Sequence, residues 1–339
     1  MRPRVGLGAA TAALVLALLA PDVRPQPEAR PISPFEMQPS RRGGKFKVEG
    51  PFSIGDPVHE TITVEALRGE GFLAPGEKSD ARAAVDFIRG VFWNDDPNAD
   101  LFFGENGLRP SLGVRWYLDF SDAKKGDPAA LKTLLGRSHF GDLQFLHGMA
   151  SREGERPTTT RDNALAWAEL AYRLAIGELP VNSGLAALGL PVGKAVASAG
   201  GSPSALALFR AQRPDAARKR ALGSLLHLLQ DSYASGHVAR ERTPDGERGA
   251  ILEFHVYTGQ DQDKHGHDDG WRGGETTAEK IRALPGGPEA LRETRRVLAF
   301  YRRNAPWAEV AAHLSQGPLK LAKNARQASA GDAYRKLPR

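Results

Sequence analysis

The stretch "LLHLLQDSYASGHV", residues 225 to 238, constrains the fold of this chain more than any other. Leu222, Leu225, Leu226, Leu228 and Leu229 make a helix here apolar nearly all round, which predicts burial of the whole element. Yet His227 and Asp231 sit inside it, four positions apart. Four residues advance about 40° beyond a full helical turn, so the two side chains project on one face, one above the other. A buried carboxylate must be paired or coordinate a metal, since an isolated one costs several kcal/mol. Two readings stand at this point: His227 is a core histidine hydrogen-bonded to Asp231, or the pair grips a cation. His237 follows Gly236, where a helix end or bend can swing a third ligand into place.

The rest of the chain reads as one mainly helical, all-α domain from residue 51 to 323. Helical periodicity predicts elements near 80–92, 128–136, 139–151, 160–178, 203–212, 215–234, 276–284, 288–303 and 305–315, and strand signals are few. In "GDPVHETITVEALRGEG", Asp56 suits an N-cap and Pro57 the first helical position, which places His59 in a first turn. The stretch "VNSGLAALGLPVGKAVASAGGSPSA" reads as a helix pair or an ordered excursion. Residues 26–50 alternate proline, glycine and charge without an apolar period and read as a flexible arm. Residues 324–339 are polar and basic and read as a loose tail.

Residues 1–25 open on a basic "MRPR", continue with the apolar "VGLGAATAALVLALLA" and exit through prolines, the pattern of a secretory signal. The apolar stretch falls short of the roughly 20 residues a spanning helix needs, so the expected location is secreted or periplasmic. Exported proteins usually carry disulfides, but the cysteine count is 0, which leaves a bound metal as one candidate staple. The net charge of +6 comes from basic residues scattered along the chain, not gathered into a nucleic-acid stripe. There is no Gly-x-Ser-x-Gly elbow, no phosphate-binding Gly-x4-Gly-Lys-Ser/Thr loop and no cysteine nucleophile.

A second His-x3-Asp occurs in "YTGQDQDKHGHDDGW", as His265 and Asp269. Its acids suggest a calcium loop, but the fifth position is His265 and the twelfth is Arg272 where a bidentate glutamate belongs. A histidine-bearing site favours zinc. Further candidates are Asp95 in "VFWNDDPNADLFF" and His139 in "GRSHFGDLQFLHGM". His147, eight residues on in the same expected helix, reads as a packed or surface residue and less readily as an outer partner. His255 and His267 lack an acid four residues on, and His313 looks structural.

In order and spacing these pieces resemble the bacterial zinc-dependent phospholipases C and the related fungal and plant zinc nucleases that cut single strands. Those families run His, Asp, His, then His-x3-Asp-x5-His, then His-x3-Asp or His-x3-Glu. Here His59, Asp95, His139, His227, Asp231, His237, His265 and Asp269 fill all eight places across residues 52–270, and "SHFGD" and "LHLLQDSYASGH" resemble the family wording.

The resemblance implies an all-α, multi-helical domain built around a buried di- or trinuclear zinc site. Asp95, His139, His227 and Asp231 would hold one zinc, and His237, His265 and Asp269 a second. Asp231 would bridge to a third near His59. Family members commonly complete that third site with an N-terminal tryptophan. Here an arm of some length follows the signal and the first aromatic near His59 is Phe52, so two zincs are expected and the third stays open.

Asp95 would be the catalytic residue, orienting the attacking water or taking its proton. The implied activity is phosphodiester hydrolysis on phospholipid headgroups, with transient membrane-surface contact and no obligate protein partner. A single-strand nuclease or nucleotidase on the same cluster is the alternative, for which Phe92, Trp93, Phe102, Phe103 and Trp116 offer stacking faces, though they serve equally as core or acyl-chain contacts. A secreted helical binding protein without catalysis is the third reading.

Overall fold

The computed structural model describes residues 58–74, 82–98, 110–197 and 203–336, together with the short paired strands Phe46–Lys47 and Ser53–Ile54. All belong to one compact unit, Ile32–Arg339. The signal segment, most of the 26–50 arm, Asp56, Pro57, Phe102 and Phe103 lie outside the described residues. Among the described residues the chain is mostly helical, with 12 α-helices. No helix among them is long and apolar enough to cross a membrane.

The helix Pro214–Asp231 is the axis of the molecule, and from Ala221 to Asp231 every residue on it is buried. Pro214 at the first helical position supplies a preset φ where no intrahelical N–H is needed. The helix Arg82–Trp93 crosses it backbone to backbone. A Cβ on Gly90 would lie 2.1 Å from the Arg220 carbonyl oxygen, and one on Gly223 2.2 Å from that of Phe87, so both crossing positions require glycine. Close approach lets Arg220 reach Asp86 through Nε and Nη2, at 3.0 and 2.8 Å, a buried pair that fixes the register of the two helices. That register delivers Asp95, just past the end of the shorter helix, to the level of His227.

The helix Pro157–Ala175 covers another side of the axis. Trp167 stacks on Trp93 at 5.6 Å between ring centroids and donates through Nε1 to Ser224 Oγ. Ser224 in turn donates to Asn94, whose amide donates to the Leu146 carbonyl. One buried chain of hydrogen bonds thus ties the axis to the two loops that carry Asp95 and His147. Trp93 is core and offers no stacking face.

The long expected helix over 139–151 does not form. A helix ends at Phe140, Gly141 caps it, and a 3-10 turn covers Gln144–His147 before Gly148 adopts a left-handed φ of 61°. A helix over Pro110–Lys124, absent from the sequence expectation, packs against this region. The small-residue stretch forms a 3-10 turn, Leu185–Leu188, and a helix, Pro191–Ala197.

After the axis comes an antiparallel hairpin, Val238–Arg242 with Arg248–Phe254, so the all-α expectation holds as mostly helical and not in full. The tail is the clearest correction. Residues 324–336 are not loose: Ala328, Ala330 and Tyr334 are buried, and Arg326 N and Val256 N exchange backbone bonds between the segment and the hairpin's end. Buried Glu253 anchors it by accepting from Arg326 and Ser329. The basic side chains that made it look loose point outward, while small apolar ones face in.

Candidate metal centre

Three groups of side chains place ligand atoms within 4.8 Å of one another: His59, His227 and Asp231; Asp95, His139 and His147; His237, His265 and Asp269. All eight residues singled out in the sequence converge, with His147 as a ninth. His147, expected as a packed or surface residue, is packed, and its packing sets it among the candidate ligands. Gly141 breaks the helix that would have carried it away from His139, and the two rings lie 4.7 Å apart between centroids.

The centre of the cluster is the buried Asp231 carboxylate. Its Oδ2 lies 2.9 Å from His147 Nδ1 and 2.9 Å from His227 Nε2, and those two nitrogens are 3.1 Å apart. Ligand atoms about 3.3 Å apart are what a tetrahedral zinc with bonds of about 2.0–2.1 Å requires. Asp95 Oδ1 lies farther out, at 3.8 Å from His227 and 4.0 Å from His147, and could supply a fourth ligand. His147 Nδ1 thus lies closest to His227 and Asp231, while His139, implied for this place by the resemblance, stands beside it in a group with Asp95. The other Asp231 oxygen, Oδ1, faces His59 Nε2 at 3.1 Å, so the carboxylate reaches two sides of the cluster. In the remaining group Asp269 Oδ2 lies 2.9 Å from His265 Nε2 and 3.4 Å from His237 Nε2.

The outer nitrogens of these rings decide what the inner ones can do. His139 Nδ1 donates to the Leu135 carbonyl, His237 Nδ1 to the His147 carbonyl, His59 Nδ1 to Gln230 Oε1 and His265 Nδ1 to Gln260 Oε1. Each amide is itself held: Gln230 Nε2 donates to Thr63 and Thr294, and Gln260 Nε2 to two backbone carbonyls. A neutral imidazole that donates outward through Nδ1 presents a lone pair inward. For His59, His237 and His265 those lone pairs then face carboxylate oxygens at hydrogen-bonding distance, which is repulsive unless a cation or an additional proton lies between.

The electrostatics express that choice. Burial works to lower the His59 and His237 pKa values, but the Asp231 charge on both, with Asp269 on His237, outweighs it and raises them to about 10 and about 9. Burial works to raise the carboxyls of Asp231 and Asp269, yet the surrounding imidazoles hold both below the ordinary range. His139 behaves oppositely: burial, with His147 beside it, pushes it down to about 3. Asp269 Oδ1 and His227 Nδ1 are buried without a hydrogen-bond partner. An unpartnered oxygen on a carboxylate whose other oxygen meets two imidazoles fits a metal ligand. The donor set of imidazole and carboxylate is one that a divalent transition ion accepts.

The other histidines sort cleanly. His255 donates to the Gly236 carbonyl, His267 pairs with Asp268 at the surface, and His313 bonds Glu293 at 2.7 Å. Asp142 accepts a fork from Arg137. Asp261 caps the helix Gln262–Asp268 by accepting from two backbone amides.

Beside His139 stands a panel of half-buried aromatics. Trp116 stacks on Phe120 at 5.0 Å, Phe120 meets Phe140 and His139 edge-on, and Tyr257 closes against His265 at 4.8 Å. Trp116 Nε1 donates to the Asp95 carbonyl, which ties the panel to the loop bearing that carboxylate. No family model matches this chain, and comparisons with characterised proteins and with solved structures return no match.

Proposed function

We propose that this chain is an exported zinc-dependent phosphodiester hydrolase of the phospholipase C kind, acting on phospholipid headgroups. The observation that carries the proposal is the direction of the imidazole lone pairs. Three rings, His59, His237 and His265, donate outward to fixed carbonyl and amide oxygens and face carboxylates inward, an arrangement that multivalent cations satisfy and a hydrogen-bonded core does not need. The ligand order along the sequence points to the same chemistry.

His147, His227, Asp231 and Asp95 would hold the first ion, His237, His265 and Asp269 the second, and His59 with Asp231 a third. Bound zinc supplies charge that neutralises a phosphoryl group and lowers the pKa of coordinated water. The chain's own contribution is placement. Asp231, buried among imidazoles, holds neighbouring centres together. Asp95 is the exposed member, with 40% of its side chain open, so it can meet a substrate or water and orient or deprotonate it. Trp116 fixes the backbone from which Asp95 projects. The aromatic panel lines the His139 side with flat apolar faces.

That panel also favours a second reading, a single-strand nuclease, because flat faces stack bases without sequence preference. Zinc content by elemental analysis, with parallel assays on phosphatidylcholine vesicles and single-stranded DNA, tests both. About two or more zincs per chain with chelator-sensitive release of the phosphorylated headgroup supports the lipase. Cleavage of DNA alone moves the assignment to the nuclease. A protein free of zinc whose folding ignores chelator leaves only the helical binding protein.

A further inference from the structure

We infer that Gln260 is the positioning residue of the His237, His265 and Asp269 triad, braced by the chain's carboxy-terminal segment. The inference rests on the metal-binding reading of that triad. Gln260 is buried, and its three hydrogen bonds have three destinations. Nε2 donates to the Gly236 carbonyl at 2.7 Å, next to His237, and to the Ala330 carbonyl at 3.0 Å in the terminal segment. Two carbonyl acceptors on that side leave Oε1 no choice but to face His265 Nδ1, at 2.6 Å. The amide therefore fixes the His265 tautomer and aims its Nε2 lone pair at the position opposite Asp269 Oδ2.

The terminal segment completes the clamp from the other side. Asp261 N donates to the Tyr334 carbonyl at 2.6 Å and Lys336 N to that of Gly259 at 2.9 Å, so the residues flanking Gln260 are paired with it. Tyr334 Oη donates to Asp268 Oδ2 at 2.6 Å, which holds Asp268 away from the triad and turns its neighbour Asp269 inward. Room for the His265 ring comes from Gly236: a Cβ there would lie 2.7 Å from His265 Nδ1. By contrast, no hydrogen bond from this segment reaches Asp95, His147, His227 or Asp231 among the described residues. The clamp acts on one triad.

Outer partners of metal-ligating histidines are typically worth about 10- to 100-fold in metal affinity. The test is competitive zinc titration against a chromogenic chelator on the full chain, with Gln260→Ala, Gln260→Glu and Tyr334→Phe compared with the parent. Gln260→Ala is expected to weaken one class of zinc by about 10- to 100-fold and leave the tighter class in place. Gln260→Glu keeps an oxygen for His265 Nδ1 but sets its other oxygen against the Gly236 and Ala330 carbonyls, so it should recover part of that loss. Tyr334→Phe, which keeps the ring, should cost a few-fold in the same class, and remains informative if the alanine variant fails to fold. Unchanged affinities in Gln260→Ala, or equal weakening of both classes without recovery in Gln260→Glu, would overturn the inference. A parent chain that binds no zinc at all overturns the metal reading instead, a distinct result.

Discussion

The chain uses the same His-x3-Asp pair twice, and the two copies are held in place by different forces. His227 and Asp231 sit on an 18-residue helix whose second half is wholly buried, whereas His265 and Asp269 sit on and just past a seven-residue helix with several exposed positions. In both, imidazole Nε2 and carboxylate Oδ2 lie 2.9 Å apart. Local helical geometry therefore suffices to make the pair, but not to hold it. The first is immobilised by side-chain packing all round. The second depends on an N-cap, an amide clamp and a tyrosine hydroxyl, each a hydrogen bond that contributes on the order of 1 kcal/mol net.

The sharpest way to break this comparison is to neutralise each carboxylate in turn. Asp231→Asn should abolish phosphodiester hydrolysis and release most of the zinc, because three imidazoles share this one buried side chain. The loss of affinity should exceed the roughly hundredfold seen when only an outer partner is removed. Asp269→Asn should lose turnover as well but keep the zinc bound at the buried end. Equal metal loss in the two variants, measured by elemental analysis after gel filtration, would show that the two ends bind as one unit. Near-normal turnover in Asp231→Asn would remove the assignment altogether.

Packing supplies the next test. Leu226→Ala on the axis removes a fully buried side chain from the main core and should destabilise by about 2–5 kcal/mol. Urea unfolding of the metal-free protein measures this directly. A cost below about 1 kcal/mol would mean that the axis is not held by burial, and the contrast with the short helix would fail.

How much of this was legible beforehand follows the same division. The axis was, because leucines on every face and a polar pair at helical spacing have one structural solution. His265 and Asp269 were, through the same four-residue spacing, whereas His59 was picked out as a ligand only by the resemblance. His147 was not, because the break at Gly141 is a local decision that helical periodicity hides. The signal was available: Gly141 and Gly148 bracket a segment too short for a stable helix of its own. The hairpin was missed, although "TPDGE" at residues 243–247 is turn chemistry between two runs able to form strands. The terminal clamp was not legible. Its contacts are long-range backbone bonds and a single tyrosine hydroxyl, and neither composition nor periodicity carries them.

Protons offer a subtler probe. In the metal-free chain His59 and His237 have pKa values raised to about 10 and about 9. A histidine whose folded pKa is raised contributes stability that is complete below about pH 6.5 and is lost as pH climbs through the folded value. His139, lowered to about 3, acts in the opposite sense and costs stability as pH drops below about 6.5. The melting temperature of the chelated protein should therefore peak near pH 6.5 and fall toward pH 10. Zinc requires deprotonated imidazole, so the stabilisation it adds should grow over the same interval. A flat profile in the chelated protein, or a zinc effect independent of pH, would mean that inward protons do not stand in for the ions.

The smallest expected effect isolates the weaker helix. Asp261 accepts from the backbone amides of Asp263 and Lys264 at 3.1 and 3.3 Å, and its removal as Asp261→Ala should cost about 1 kcal/mol. That loss should stay local, because Gln260 and Tyr334 grip the segment from outside the helix. Hydrogen exchange on the zinc-loaded protein should then show faster exchange at residues 263–269 and unchanged protection along Pro214–Asp231. If protection falls along the axis as well, the two helices open together. The second pair would then draw its rigidity from the same packing as the first, and the distinction between a site held by burial and a site held by hydrogen bonds would not survive.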